Sequence, residues 1–333
     1  MENRIALVLL VSTAAVHDAW AAAPFELDTP ANSIGYSAQT QRLYATVPSS
    51  AGLPYGNRLI EISPTDAEIT GSVFVGSEPG PLAISTDAPV AYIGIEGAAA
   101  VRRVDLMPLS AGIQFATGNS LSYGPMYPTQ IAVMPGASGT IAVSRHIKGV
   151  SPDYQGVAIF DDGVMRPATV STFLGPTTLA FGSSPSVLFG YDGASQWYAY
   201  KLAVDASGVS IATIAPYLFN GFDLTIVVDN GQIYATSGET ADGAQMQLTG
   251  SYDSSGPLVV DDARKQVVFV HGSSIQVFDR DTFVPIYSVK VAAANGNPLS
   301  ATGCGSGCIG IAFDSGQIFV LPDIEKIFAD GFD

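Results

Sequence analysis

Between Gly76 and Leu106 the chain reads GSEPGPLAISTDAPVAYIGIEGAAAVRRVDL, and apolar and polar positions come there in blocks. The apolar runs Leu82–Ser85, Val90–Ile95 and Ala99–Leu106 are cut by the turns Ser85-Thr86-Asp87 and Glu96-Gly97-Ala98. Runs of about 4–8 residues between such turns predict strands joined by hairpins. The block recurs along the chain. Apolar anchors for a first, inner strand fall at Ile34, Leu82, Ile131, Leu179, Leu224, Val259 and Ile309, with gaps of about 48, 49, 48, 45, 35 and 50 residues. Those gaps match the ~40–50 residue period of propeller repeats.

Second strands are predicted at Arg42–Val47, Val90–Ile95, Thr140–Ser144, Val187–Tyr191, Gln232–Thr236, Gln266–Val270 and Gln317–Leu321. Third strands end in acidic or hydroxyl residues, as in Leu59–Ser63, Arg103–Asp105, Ile159–Asp161 and Val277–Asp279, while the compressed fifth unit has only Glu239–Asp242. Outer strands follow at Glu68–Val75, Gly112–Thr117, Met165–Ser171, Val209–Ile214, Met246–Tyr252 and Val284–Val291. The seventh unit runs out of chain before its fourth strand. Phe25–Asp28, ahead of the first inner strand, would supply it by pairing beside Asp323–Phe328, which closes the ring and removes a free edge. The fold class is therefore all-β, a seven-bladed propeller of four-stranded antiparallel blades. Two packed sandwiches would explain neither the period nor the split unit.

Composition narrows the class without naming an activity. Hydrophobic residues make up 47% of the 333, and mean hydropathy is +0.29, enough for a large core. Charged residues are 13% against the usual quarter, and the net charge is −16. Phosphate-backbone binding needs clustered Lys and Arg, and only 14 are scattered here. Nucleic acid and anionic membrane surfaces are thus excluded as expected partners.

Residues 1–21 have the layout of an export signal. Arg4 precedes the apolar run Ile5–Val11, and Ala19-Trp20-Ala21 gives a small-residue cleavage pattern. The run is too short for the ~20 residues a span requires. The expectation is one propeller domain over 22–333, exported to the periplasm or the cell surface, and monomeric. Export agrees with the two cysteines. Cys304 and Cys308 stand in Cys-Gly-Ser-Gly-Cys, and in an oxidising compartment such a pair is expected to form a disulfide. That bond is expected to pin the connection Ala292–Gly307 between the sixth and seventh units.

The motif Pro79-Gly80-Pro81-Leu82-Ala83-Ile84-Ser85, then Ala91-Tyr92-Ile93-Gly94-Ile95, then Val101-Arg102-Arg103-Val104-Asp105-Leu106, resembles the YVTN-type bacterial β-propeller repeat. The likeness extends over about thirty residues and recurs in units one, three and six. It implies a secreted or surface-located propeller. The same scaffold carries lactonases, quinoprotein dehydrogenases and adhesive surface-layer proteins, so it leaves the function open. The tail Ile327–Asp333 is also similar to a short ending of exported proteins in some Gram-negative bacteria.

Candidate chemistry is sparse. After residue 21 only His146 and His271 remain, each at the end of a second strand, and no G-x-S-x-G elbow, H-E-x-x-H or phosphate-cradling loop occurs. No catalytic or metal-ligating residue and no cofactor is expected. Asp161-Asp162-Gly163, Asp261-Asp262 and Asp279-Arg280-Asp281 could offer oxygens to Ca2+, but none has the alternating spacing of a calcium loop. Loops after second strands and loops between blades share one face, and function concentrates on loops held by a rigid scaffold. Those loops carry Tyr55, Tyr123, Tyr127, His146, Tyr154, Tyr217 and Phe219, an aromatic set suited to protein, peptide or glycan contacts. The function expected is a non-enzymatic binding or scaffold module. The alternative is a lactonase-like hydrolase or quinoprotein-like dehydrogenase, which would need three or more acids converging at the central channel.

Overall fold

Seven four-stranded antiparallel sheets stand around a central axis in the computed structural model, which describes residues 24–170, 175–194, 196–305 and 307–324. Blade 1 is built from Ser33–Ser37, Arg42–Val47, Arg58–Ile62 and Ile69–Phe74, ordered from the axis outward. Blade 2 follows with Pro79–Ile84, Val90–Ile95, Ala100–Leu106 and Leu109–Ala116. Blade 3 comprises Tyr127–Val133, Thr140–His146, Tyr154–Asp161 and the two-residue outer strand Val164–Met165. Blade 4 comprises Thr178–Phe181, Val187–Tyr191, Tyr198–Asp205 and Gly208–Pro216. Blade 5 is the compressed one, with Ile226–Asp229, Gln232–Ala235, Glu239–Asp242 and Gln247–Ser251. Leu258–Asp261, Gln266–His271, Ser274–Asp279 and Pro285–Lys290 form blade 6.

The ring closes through its two chain ends. Blade 7 consists of Pro298–Gly303, Ile309–Phe313 and Gln317–Leu321, with Phe25–Asp28 as its outer strand. Phe25 stands opposite Val320 and Asp28 opposite Gln317, and the Gln317 amide donates to Glu26 at 2.7 Å. Each inner strand touches the next, and the seventh touches the first. The closure expected from the sequence holds, with its partner strand corrected. Gln317–Leu321 is the third strand of blade 7 and Ile309–Phe313 the second, and Phe25–Asp28 pairs with Gln317–Leu321, whereas the expected partner was Asp323–Phe328. Asp323 is outside any strand, and residues 1–23 and 325–333 fall outside the described residues.

The physical reason for the slip is burial. Ile309–Phe313 is wholly buried, whereas the true inner strand Pro298–Gly303 is mostly half-exposed because it lines the channel. The sequence signal follows burial and not strand order. Second strands sit between two neighbouring blades and read as unbroken apolar runs: Val90–Ile95 is buried at every position. Among the described residues each gap between adjacent blades holds its own apolar cluster. Tyr44, Ile93 and Val104 fill the gap between blades 1 and 2, and Ile34, Ile60, Ile318 and Val320 the one between blades 7 and 1.

Antiparallel order puts the turns after first and third strands on one face, and the turns after second strands and between blades on the other. The second face carries the long loops. Cys304 and Cys308 are bonded, as expected from the sequence. The bond closes the hairpin between the first two strands of blade 7 and therefore sits on the opposite, short-turn face. It does not pin the blade 6–7 connection, which ends where Pro298 begins the inner strand. Gly305 and Gly307 both take φ of +79°, a left-handed backbone that favours glycine and lets the chain reverse between the two sulfurs. Cys304 N–H donates to the Cys308 carbonyl at 2.9 Å, and both side chains pack into the blade 7–1 core.

Candidate functional site

The loop-rich face sorts the seven aromatic and histidine candidates into three kinds. Phe219 is 1% exposed and packs edge-on to Tyr191 at 5.9 Å, so it holds its loop down and offers no surface to a ligand. Its backbone is held as well: the Tyr191 hydroxyl donates to the Phe219 and Gly221 carbonyls at 3.3 and 2.8 Å. Glu239 accepts from both the backbone and side-chain nitrogens of Asn220 at 2.9 and 3.0 Å, clamping the tip of the same loop. Tyr55 is half-buried against the blade 7–1 core. Tyr123 and Tyr217 stand out from the face, at 58% and 63% exposure, from the blade 2–3 and blade 4–5 connections.

Tyr127, His146 and Tyr154 come together in blade 3. Tyr127 begins the inner strand, His146 ends the second and Tyr154 begins the third, so antiparallel pairing sets His146 opposite both tyrosines. The Tyr127 and His146 rings lie 5.6 Å apart. The Lys148 ammonium sits 4.1 Å from the Tyr127 ring centroid and pairs with Glu96 of blade 2 at 2.7 Å, tying two neighbouring loops together. Thr129 Oγ1 is 2.9 Å from His146 Nδ1, which fixes the imidazole orientation. His271 repeats this arrangement in blade 6, where its Nδ1 lies 3.3 Å from Ser255 Oγ.

His146 and Tyr154 line a cavity of about 390 Å3 at the channel mouth, bounded by blades 3, 4 and 5. That is within the range of small-molecule sites, roughly 300–1,000 Å3. Thr129 and Gln130 of blade 3 and Thr177 and Thr178 of blade 4 form the wall nearest the axis. Asp153, ahead of the third strand of blade 3, and Asp223, in the blade 4–5 connection, add two carboxylates. No Lys or Arg contributes to this lining. Burial pushes the Tyr154 hydroxyl far above its ordinary pKa, so it stays a proton donor at any physiological pH. Among the described residues neither the Tyr154 hydroxyl nor Thr178 Oγ1 has a hydrogen-bond partner, although Tyr154 is only 4% exposed and Thr178 6%. Unspent donors at a wall are costly unless a ligand or water meets them.

Thr129, Gln130, Asp153, Thr177, Thr178 and Asp223 escape a reading keyed to aromatic residues and histidine. A signal for four of them exists. Pro128-Thr129-Gln130-Ile131-Ala132 and Pro176-Thr177-Thr178-Leu179-Ala180 are the same short motif in adjacent blades, and blade 2 repeats it as Pro79-Gly80-Pro81-Leu82-Ala83. The two positions after the first proline fall where the inner strand enters the channel mouth. They are polar in blades 3 and 4 and carry no hydrogen-bonding side chain in blade 2.

The acidic doublets are occupied within the protein. Arg166 grips Asp161 through two bonds of 2.7 and 2.8 Å, Arg264 bonds Asp261 at 2.9 Å, and Arg280 pairs with both Asp262 and Asp281. Asp279 caps its own turn by accepting from the Thr282 backbone and hydroxyl. Among the described residues no group of three or more His, Cys, Asp or Glu side chains could hold a metal ion.

No family model and no curated protein matches the sequence. Among solved structures the chain is similar to hydrazine synthase of Kuenenia stuttgartiensis, with a TM-score of 0.66 and 14% identity over 94% of this chain and 99% of that one. At that identity the likeness shows the seven-bladed fold alone.

Proposed function

We propose that this chain is an exported binding module that takes a protein, peptide or glycan on its loop-rich face, at the channel mouth between blades 3, 4 and 5. The observation that carries the reading is the cavity itself, where His146 and Tyr154 meet the polar ends of two inner strands. Exposed Tyr123 and Tyr217 extend the same face outward and supply amphipathic contact area. Export is supported by the leader pattern of residues 1–21, the resemblance to YVTN-type repeats and the disulfide. The enzyme alternative required three or more converging acids; the cavity lining has two, Asp153 and Asp223.

The test is binding of the purified protein to a displayed peptide library and a glycan array. Wild-type protein is expected to retain ligands that the His146→Ala variant loses and the Tyr217→Ala variant holds more weakly. Leu248→Ser, on the perimeter of blade 5, is expected to leave binding unchanged. Retention that survives both loop-face substitutions would overturn the reading.

A further inference from the structure

The channel-mouth cavity has a chemistry narrower than its location requires, and we infer that its ligand is a neutral saccharide. This rests on the binding reading above and specifies it. The lining is dense in groups that both donate and accept, with the hydroxyls of Thr129, Thr177, Thr178 and Thr225 and the amide of Gln130. Asp153 and Asp223 add two strong acceptors, the partners that sugar hydroxyls use best because bonds to charged groups are worth more. No cationic side chain lines the cavity, and the protein carries a net charge of −16. A phosphate, sulfate or uronate would enter against that field.

A cationic amine would donate to the carboxylates and to the hydroxyl and amide oxygens, and would leave the lining's own donors unmet. An ammonium has three donors and no acceptor, so the hydroxyl and amide donors around it would lose water without gaining a partner. Tyr154 and Thr178, whose residues line this cavity, are each more than nine-tenths buried, and their hydroxyls find no partner among the described residues. A sugar hydroxyl answers both requirements, accepting from Tyr or Thr and donating to Asp. The His146 ring lines the cavity and lies 5.6 Å from the Tyr127 ring, which adds an aromatic edge to the polar lining.

The experiment screens the full chain on an array of neutral, N-acetylated and uronic-acid oligosaccharides. The retained glycans, spermidine and inorganic phosphate are then titrated by calorimetry. Binding of a neutral glycan is expected, with Asp153→Asn and Asp223→Asn each weakening it tenfold or more. Both residues are exposed, so neither variant should change the melting temperature. Tyr217→Ala serves as a variant on the same face but outside the cavity lining, and it is expected to lose less affinity than either Asp variant. Spermidine bound in place of glycans, and lost in Asp153→Asn, would overturn the saccharide while leaving the binding face intact. Neutral glycans bound equally by both Asp variants would overturn the site. Retention of uronates or phosphate alone would overturn the charge argument, and retention of no glycan at all would overturn the proposal.

Discussion

Blade 7 and blade 3 are built from the same four-stranded plan and treat their edges in opposite ways. Blade 7 borrows a complete outer strand from the far end of the chain, bonded residue for residue from Phe25 to Asp28. Its first hairpin is also tied by a disulfide. The outer strand of blade 3 is broken after Val164–Met165: the chain touches blade 4 where Ala168 bridges Gly208 and meets the third strand again only at Val170, opposite Val157. Order is thus concentrated where the ring would otherwise open, and blade 3 gives long loops to the face that holds the cavity. A seam must resist opening, because a free edge both unzips and aggregates. A binding mouth needs side chains freed from ladder pairing, and loops provide them.

The strongest test of this contrast is removal of the seam. Starting the chain at Thr29 deletes the outer strand of blade 7, exposes the ladder groups of Gln317–Leu321 and takes Leu27 from the blade 7–1 core. The expected result is a lower melting temperature, by more than 10 °C, with concentration-dependent aggregation on heating. Removing Asp330–Asp333 instead should shift it less. Equal effects from the two truncations would end the argument that the first strand closes the ring.

On the mouth side the loop between blades 4 and 5 sharpens the same point within six residues. Phe219→Ala empties a buried ring site and should cost about 3–5 kcal/mol. Tyr217→Ala should stay within about 0.5 kcal/mol of wild type while altering ligand capture. Denaturant melts of the two variants separate anchor from contact. Similar losses would mean that the edge-on contact of Tyr217 with Tyr198, at 6.0 Å, anchors the loop as firmly as Phe219 does.

How much of this was legible follows from burial. Second strands such as Arg42–Val47, Val90–Ile95 and Val187–Tyr191 are sandwiched between blades, so their apolar runs fix their ends and the structure reproduces those ends. Inner strands face the channel and carry little apolar signal. Pro298–Gly303 was missed for that reason, and Leu224 marks a point two residues before Ile226–Asp229 begins. At the candidate site the aromatic positions were visible, but exposed Tyr217 and buried Phe219 look alike in sequence. Asp153 and Asp223 come together only through the fold, since 70 residues separate them along the chain.

Returning to the seam, the disulfide should matter less than the strand beside it. Cross-linking stabilises chiefly by restricting the unfolded chain, and a loop this short restricts it little. The Cys304→Ser, Cys308→Ser double variant is expected to lose under ~3 kcal/mol. Its effect should be local: faster amide exchange at Cys304, Cys308 and Ile324, whose N–H groups bond within or onto this turn. Two free thiols in unreduced wild-type material would remove the bond from the account altogether.

The smallest effect lies where the outer strand of blade 3 is broken. Arg166 follows Val164–Met165, bonds Asp161 through two nitrogens and donates to the Asp205 carbonyl of blade 4, so one side chain replaces part of the missing ladder. The Arg166 guanidinium, helped by the Thr140 hydroxyl, holds the Asp161 carboxyl below its ordinary pKa. A carboxylate depressed in the fold stabilises above its unfolded pKa of about 3.9, and that contribution disappears as pH falls through the lower folded value. Asp161 is nearly half exposed at its side chain, so solvent screens the pair. Asp161→Asn should therefore cost only about 0–1 kcal/mol at pH 7. Melting curves of the variant and wild type should converge as pH falls through the lowered pKa of the folded carboxyl, where the wild-type group takes up its proton. A gap that persists unchanged at pH 2.5 would assign the loss to the Thr140 and Arg166 hydrogen-bond geometry and not to charge.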